Sequence, residues 1–312
     1  MNTGFLVKKS GLLTLIQDAG RFGFHCLGLS TGGPVDPLAF HWANRLCDNN
    51  LVASALEVSV GGLVLEAKAA TRIAVCGADM PLTINHRPKS LWQSHPVQPG
   101  DQVGLGFARE GVRSYLAVAG GFDIPGIFGS TATVVRESIG GLNGDKLQPG
   151  DFLPCAETQH TGCLILPKGY RPVYGHHAIL RVIPGYQQHD FSHSQQRRFF
   201  SSEYRISHHS DRMGYRLEGP EISPGIDGIL SEGICLGAIQ VPPDGQPIVL
   251  MNDRQTISGY PKLGSVLSLD LGQLSQLKAG DKVTFNPITV EDAHNIRHLA
   301  VSYFDQIKPA RC

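Results

Sequence analysis

Three stretches of the chain repeat one phrase: Val97-Gln-Pro-Gly-Asp-Gln-Val103, Leu147-Gln-Pro-Gly-Asp-Phe-Leu153 and Leu277-Lys-Ala-Gly-Asp-Lys-Val283. Each passes from an apolar residue through two turn formers to Gly-Asp and then into strand-like sequence. The glycine supplies a backbone position with φ > 0, and the aspartate bonds the backbone of its own turn. The repeats read as equivalent turns that open strands of β-barrel-like units, not as active sites. Working outward, Leu63-Val-Leu-Glu-Ala, Arg72-Ile-Ala-Val-Cys, Ser114-Tyr-Leu-Ala-Val-Ala and Ile179-Leu-Arg-Val-Ile are short apolar runs bounded by Gly, Pro or polar clusters, the signature of strands.

Three helices are expected among them. Asp36 caps Pro37, and Leu38, Trp42 and Leu46 with Ala39 and Ala43 make one apolar face. Ser192 and Gln195 have capping-box spacing ahead of Gln196-Arg-Arg-Phe-Phe200. Thr289 with Asp292 opens a last helix carrying Ala293, Ile296, Ala300, Tyr303 and Ile307, stopped near Pro309 and expected to pack as a C-terminal tail. The fold expected is all-β with a few helices, in two β-barrel-like domains. Residues 1–165 form the first, 170–290 the second and 290–312 a helical tail, with the boundary in the polar, turn-rich region 155–178.

Composition narrows the function classes. The 37 glycines and 20 prolines exceed ordinary usage but fall between apolar runs, so they mark turns and not disorder. Lys and Arg total 27 against 27 for Asp and Glu, which argues against a nucleic-acid binder. No signal-peptide pattern and no run of roughly 20 apolar residues occurs, so a cytoplasmic protein without a membrane span is expected. The 7 cysteines are scattered without a C-x-x-C pair, and reduced thiols are expected in place of a disulfide framework.

The sequence holds no Walker loop, dinucleotide fingerprint, G-x-S-x-G elbow or H-E-x-x-H. The histidines lack metal or catalytic spacing, so no metal site is expected. Four polar clusters stand out instead. Arg21, in Gln17-Asp-Ala-Gly-Arg-Phe-Gly23, can grip a carboxylate or phosphate. Ser207-His-His-Ser-Asp-Arg-Met-Gly-Tyr-Arg216, read as a strand, sends Asp211 and Arg212 to opposite faces and offers Arg212 as an anion clamp. Gln240 ends an apolar strand where a lone amide needs partners. Met251-Asn-Asp-Arg-Gln-Thr-Ile-Ser-Gly-Tyr-Pro-Lys262 crowds polar groups at a strand end.

Several of these phrases carry a resemblance. Gln17-Asp-Ala-Gly-Arg, Gly32-Gly-Pro-Val-Asp36, Ala43-Asn-Arg-Leu, Ala55-Leu-Glu-Val, Ser210-Asp-Arg-Met-Gly-Tyr-Arg-Leu, Gln240-Val-Pro, Asp253-Arg-Gln-Thr and Gly259-Tyr-Pro-Lys occur in order from about residue 5 to 290. Together they resemble the KipA-like family, the allophanate hydrolase subunit 2 or biotin-dependent carboxyltransferase group. The resemblance implies cyclophilin-like barrels. It also implies a place in a heteromeric, ATP-dependent hydrolase that opens 5-oxo-L-proline to L-glutamate, with one KipI-like and one LamB/YcsF-like partner. By the same resemblance Arg212, Asp253 and Lys262 are expected to be catalytic. Gln240, Gln255, Arg21, Glu57 and Tyr260 are expected to bind substrate.

No methionine flanks a lysine, so the chain carries no biotin attachment turn, and ATP is expected to be used at the level of the complex. Two alternatives stay open: biotin-dependent carboxyl transfer to a urea-like acceptor, and a non-enzymatic regulator that binds a kinase-inhibitor partner.

Overall fold

At the three repeated turns Gly100, Gly150 and Gly280 take φ of +94°, +97° and +87°. The following aspartates accept backbone N–H bonds from Gln98, Gln148 and Lys278 at 2.8, 2.7 and 2.8 Å. Each turn then docks on another strand by a reciprocal pair. Gly100 N–H donates to the Ala67 carbonyl while Ala67 N–H donates to that of Asp101, and Gly150–Val7–Asp151 and Gly280–Ile206–Asp281 repeat the arrangement. The strands Gln102–Leu105, Phe152–Pro154 and Lys282–Pro287 follow at once, as read from the sequence.

The structure is a computed structural model that describes residues 3–158, 162–226 and 228–312. Gln159, His160 and Thr161 of the polar boundary stretch lie outside the described residues. The chain divides into two compact units. The first holds Met1–Phe22, Gly32–Tyr174 and Lys308–Cys312, and the second Gly23–Thr31 and Gly175–Ile307.

In the first unit one sheet runs, in spatial order, Phe152–Pro154, Gly4–Ser10, Leu63–Ala67, Gln102–Leu105, Leu82–Ile84 and Arg87–Lys89. The other runs Leu13–Gln17, Ala55–Ser59, Arg113–Val118, Thr71–Gly77 and Ser94–Val97. Phe5, Val7, Leu65, Leu56, Val58, Val75 and Leu116 from both sheets share one buried core. In the second unit a closed barrel runs His177–Pro184, Lys262–Val266, Ala238–Gln240, Ile248–Leu250, Gly214–Glu218, Tyr204–Ile206 and Lys282–Pro287. Its closing pair, His177–Pro184 with Lys282–Pro287, is parallel, and its other pairings are antiparallel.

Among the described residues the α-helices are α1 (Pro37–Leu46), α2 (His193–Ser201), α3 (Leu271–Ser275) and α4 (Val290–Gln306). The three expected caps are present: Asp36, Ser192 and Thr289 accept N–H bonds from Ala39, Gln195 and Asp292. Phe199 of α2 stacks on Phe285 of the barrel at 4.5 Å between centroids.

Three local expectations are corrected. Leu38 is 42 % exposed, because the buried face of α1 is carried by Ala39, Phe40, Trp42, Ala43 and Leu46 while its first turn faces outward. Helix α4 buries only Ala293 and leaves Leu299 and Tyr303 in solvent, so it is not a fully packed tail. Cys163 and Cys312 form a disulfide, brought together by the short ladder of Leu164–Ile165 with Ala310–Arg311, while the other five cysteines are free. Among the described residues no helix is long and apolar enough to cross a membrane.

The turn glycines are required by backbone conformation alone, since a Cβ at Gly150 or Gly280 meets nothing within 4 Å. Gly280→Ala is therefore expected to destabilise the barrel unit by about 1 kcal/mol, and Gly280→Asn by less, because asparagine tolerates positive φ. Urea unfolding followed by circular dichroism checks this ordering; an alanine variant as stable as wild type refutes it.

A cleft on the outer wall of the barrel

Registration of three barrel strands creates the site. Tyr215 lies opposite Val249, and Val249 opposite Ile239. Their side chains are buried in the barrel, where the Tyr215 hydroxyl donates to the Ser275 carbonyl at 3.0 Å. Alternation along a strand turns the next residues to the opposite face. Arg216, Ile248 and Gln240 are in mutual register on that outer face, which Gly214 and Leu250 share one step along. These residues floor a cleft of about 920 Å³, rimmed by Ile234 and by side chains from 208–213 and 254–260. Gly214 is fitted to the floor, since a Cβ there would stand 3.0 Å from the Ile248 methyl and 3.3 Å from Leu250.

Two groups in the cleft are unusual. Gln240 is 4 % exposed, and its Nε2 is buried without a hydrogen-bond partner among the described residues. A buried amide left unpaired costs about 1–3 kcal/mol, so a group retained there points to a ligand as its partner. Arg254 is equally buried, and its Nε and Nη1 donate only to the carbonyls of Ile234 and Met251, at 3.2 and 3.3 Å. No carboxylate pairs with Arg254 among the described residues, and burial pulls its pKa below the usual arginine value. It remains a cation at neutral pH. The Ser30 hydroxyl donates to the Arg254 carbonyl at 2.8 Å and fixes the backbone that carries it.

The loop bearing Arg254 is anchored by two of the three residues expected to be catalytic. Arg212 donates from Nε and Nη2 to the two Asp253 oxygens, each at 2.9 Å, and both residues are buried. The backbone adds an Asp253 N–H to Arg212 carbonyl bond. Arg212 is not on a strand, in contrast to the sequence reading. The Asp211 carboxylate accepts from the N–H groups of Met213 and Gly214, which bends the chain into a turn before the strand at Gly214. The charges of Arg212 and Asp253 are engaged with each other.

The remaining expected site residues are spread over three places. Gln255 and Tyr260 line the cleft with Gln240. Lys262 lies in a separate cavity of about 290 Å³, where its ammonium binds Glu232 and its N–H donates to Gln187 Oε1 at 2.9 Å. The Tyr186 hydroxyl also binds Glu232, and the bonds from Lys262 and then Tyr186 hold that carboxyl below the usual range.

Arg21 and Glu57 belong to the first unit. The Arg21 guanidinium spans the carbonyls of Ile127, Ser130 and Ala132. Glu57 accepts from Val35 N–H and the Tyr115 hydroxyl, with Arg113 at 3.8 Å. Burial first, and the Glu57 charge next, push the Tyr115 pKa well above the tyrosine range, so it serves as a fixed donor.

Sequence reasoning alone misses Arg254, although it stands inside a quoted motif. The available signal is charge pairing: once Asp253 is assigned to Arg212, the adjacent arginine has no counter-ion. Among the described residues no group of three His, Cys, Asp or Glu is placed to hold a metal ion.

A cleft lined by an amide nitrogen and a guanidinium that lack, among the described residues, a hydrogen-bond partner and a carboxylate respectively suits a small polar ligand. The family comparison agrees with the architecture: residues 27–287 match the carboxyltransferase domain, subdomain A and B, and the chain belongs to this family. It is 36 % identical to the 5-oxoprolinase C subunit of Escherichia coli over 96 % of both chains. It is 35 % identical to the 5-oxoprolinase C subunit of Haemophilus influenzae over 94 % of both. The crystal structure of the K. lactis urea amidolyase superposes with a TM-score of 0.91 at 27 % identity, covering 99 % of this chain and 20 % of that one.

The Arg212–Asp253 pair makes a stability prediction. Asp253→Ala removes the carboxylate that pairs with a buried guanidinium and is expected to cost about 3 kcal/mol, whereas Arg212→Met with Asp253→Met is expected to cost less than the two single changes summed. A double-mutant cycle in guanidinium chloride measures the coupling; additive single effects would show that the pair is not an energetic unit.

Proposed function

We propose that this chain is the C subunit of an ATP-dependent 5-oxoprolinase, a hydrolase acting on a cyclic amide. In this reading it acts in a cytoplasmic complex with a KipI-like partner and a LamB/YcsF-like partner, and is inactive alone. The observation that carries the reading is the buried Gln240 Nε2, without a hydrogen-bond partner among the described residues, in one cleft with the Arg254 guanidinium, which no described carboxylate pairs. A five-membered lactam holds its N–H and C=O on one edge, as only a cis amide does. That edge matches the donor and acceptor of a glutamine carboxamide, Nε2 to the lactam oxygen and Oε1 from the lactam N–H. The carboxylate on the carbon next to the ring nitrogen suits Arg254.

In this reading Gln240 binds and orients the amide, Arg254 holds the carboxylate, and Gln255 and Tyr260 close the polar rim. Arg212 and Asp253 are positioning residues that fix the loop carrying Arg254. Gln240 Nε2 also stabilises negative charge on the amide oxygen as it is activated. Opening so stable an amide requires coupling to ATP, which is met at the level of the complex.

The family match and the likeness to urea amidolyase support a second reading, biotin-dependent carboxyl transfer to a urea-like acceptor with biotin on a separate carrier. Urea presents the same amide edge but has no carboxylate for Arg254.

The test is glutamate formation from 5-oxoproline and ATP by the reconstituted complex of this chain with both partners. Arg254→Leu is expected to raise KM by about 10–100-fold, the loss of one charge-assisted contact, with a smaller change in kcat. Gln240→Leu is expected to lower kcat/KM by at least as much. Turnover unchanged by both variants refutes the assignment, and activity that needs bicarbonate and stops with avidin transfers it to the second reading.

A further inference from the structure

The first unit contains a second large cavity, of about 620 Å³, that the proposed chemistry does not use. Asp79, Lys89, Trp92, Arg109, Glu110 and Arg171 are among the residues that line it. Arg171 is half-buried and donates from Nε to the Leu166 carbonyl at 2.8 Å. No carboxylate pairs with its guanidinium among the described residues, and burial lowers its pKa from the ordinary arginine value.

Trp92 is 5 % exposed and stands at φ +60°, a left-handed conformation that a bulky side chain rarely adopts. Two backbone bonds hold it there, Trp92 N–H to the Val75 carbonyl and Leu166 N–H to the Trp92 carbonyl, at 2.8 and 2.9 Å. Its indole N–H finds no acceptor among the described residues and is not among the buried side-chain nitrogens sealed from solvent. The N–H is thus open to an acceptor brought by a ligand. Strained, over-determined backbone gathers where a ligand is held.

We propose that this cavity binds a small molecule carrying a carboxylate or phosphate. The oxyanion is taken by the Arg171 guanidinium, the Trp92 indole N–H and the Lys89 ammonium. The carboxylates of Asp79 and Glu110 receive hydroxyl or ammonium groups of the same ligand. The volume lies within the range of ordinary small-molecule sites and accommodates an amino acid or a nucleotide. Both ligands share the chemistry named here, an oxyanion together with hydrogen-bond donors.

The test uses the full-length chain titrated separately with ATP, inorganic phosphate and L-glutamate, followed by tryptophan fluorescence and calorimetry. The chain has two tryptophans, and Trp42 is 1 % exposed in α1, so the ligand-dependent signal is assigned to Trp92. At least one ligand is expected to saturate with a Kd below about 1 mM. Arg171→Ala should weaken it at least tenfold, Arg171→Lys less, and Trp92→Phe should abolish the fluorescence change while retaining weaker calorimetric binding.

Saturation by ATP or phosphate identifies a phosphate ligand, and saturation by L-glutamate alone a carboxylate ligand. No saturable signal from any of the three up to roughly 10 mM, or binding unaltered in both Arg171 variants, overturns the proposal. The readout is binding to this chain alone, so it is independent of whether the complex turns over 5-oxoproline.

Discussion

Along Gly214–Glu218, Ala238–Gln240 and Ile248–Leu250, alternate side chains must enter the barrel, and Tyr215, Ile239 and Val249 do so. The residues between them face outward by geometry and not by preference, and this is how a polar amide and a charged arginine come to share a wall with Ile248 and Leu250. A slip of one residue in register would exchange the two faces, placing Gln240 in the apolar interior and emptying the cleft of its donors. The register is secured from outside these strands, by the Gly-Asp turn that docks Lys282–Pro287 on Ile206 and by the parallel pair that closes the barrel. The site therefore depends on turns far from it in sequence.

What lies over that wall is held by polar bonds more than by packing. The loop after Leu250 carries Asp253 and Arg254 side by side, one engaged by Arg212 and the other directed to carbonyls. Ser30, from the segment Gly23–Thr31 that belongs to the barrel unit, reaches the Arg254 carbonyl. Three segments remote in sequence thus converge on one guanidinium. Rigid placement of this kind keeps an arginine ready for an anion without spending ligand affinity on ordering it.

The sequence made the fold legible where local chemistry decides. The Gly-Asp repeats, the caps at Asp36, Ser192 and Thr289 and the short apolar strands each follow from interactions within a few residues, and each is found in place. Gln240 was legible for the same reason: an amide at the end of an apolar strand signals a missing partner whatever the topology. The pairing of Arg212 with Asp253, 41 residues away, was not legible, because it depends on which strands become neighbours. Nor was the disulfide between Cys163 and Cys312, separated by 149 residues. Arg21 looked like an anion grip because a glycine-rich turn around an arginine has the same composition whether the guanidinium meets a ligand or three main-chain carbonyls.

Few charges and many turns make each buried arginine informative. Arg72 is balanced by Asp48, Arg212 by Asp253, and the less buried Arg181 by Asp270. Arg21 donates from Nε and Nη2 to the carbonyls of Ile127, Ser130 and Ala132, the arrangement of a strap that ties a loop to its neighbour. Arg254 and the half-buried Arg171 differ: each has a carbonyl acceptor for part of its guanidinium, no carboxylate among the described residues, and a cavity at its side. Desolvating a cation is costly, and a fold that needed only structure at these positions would do as well with an uncharged side chain. The cost is offset when an anion arrives. Arg254 in the barrel unit and Arg171 in the first unit are the positions where the proposed ligands would offset that cost.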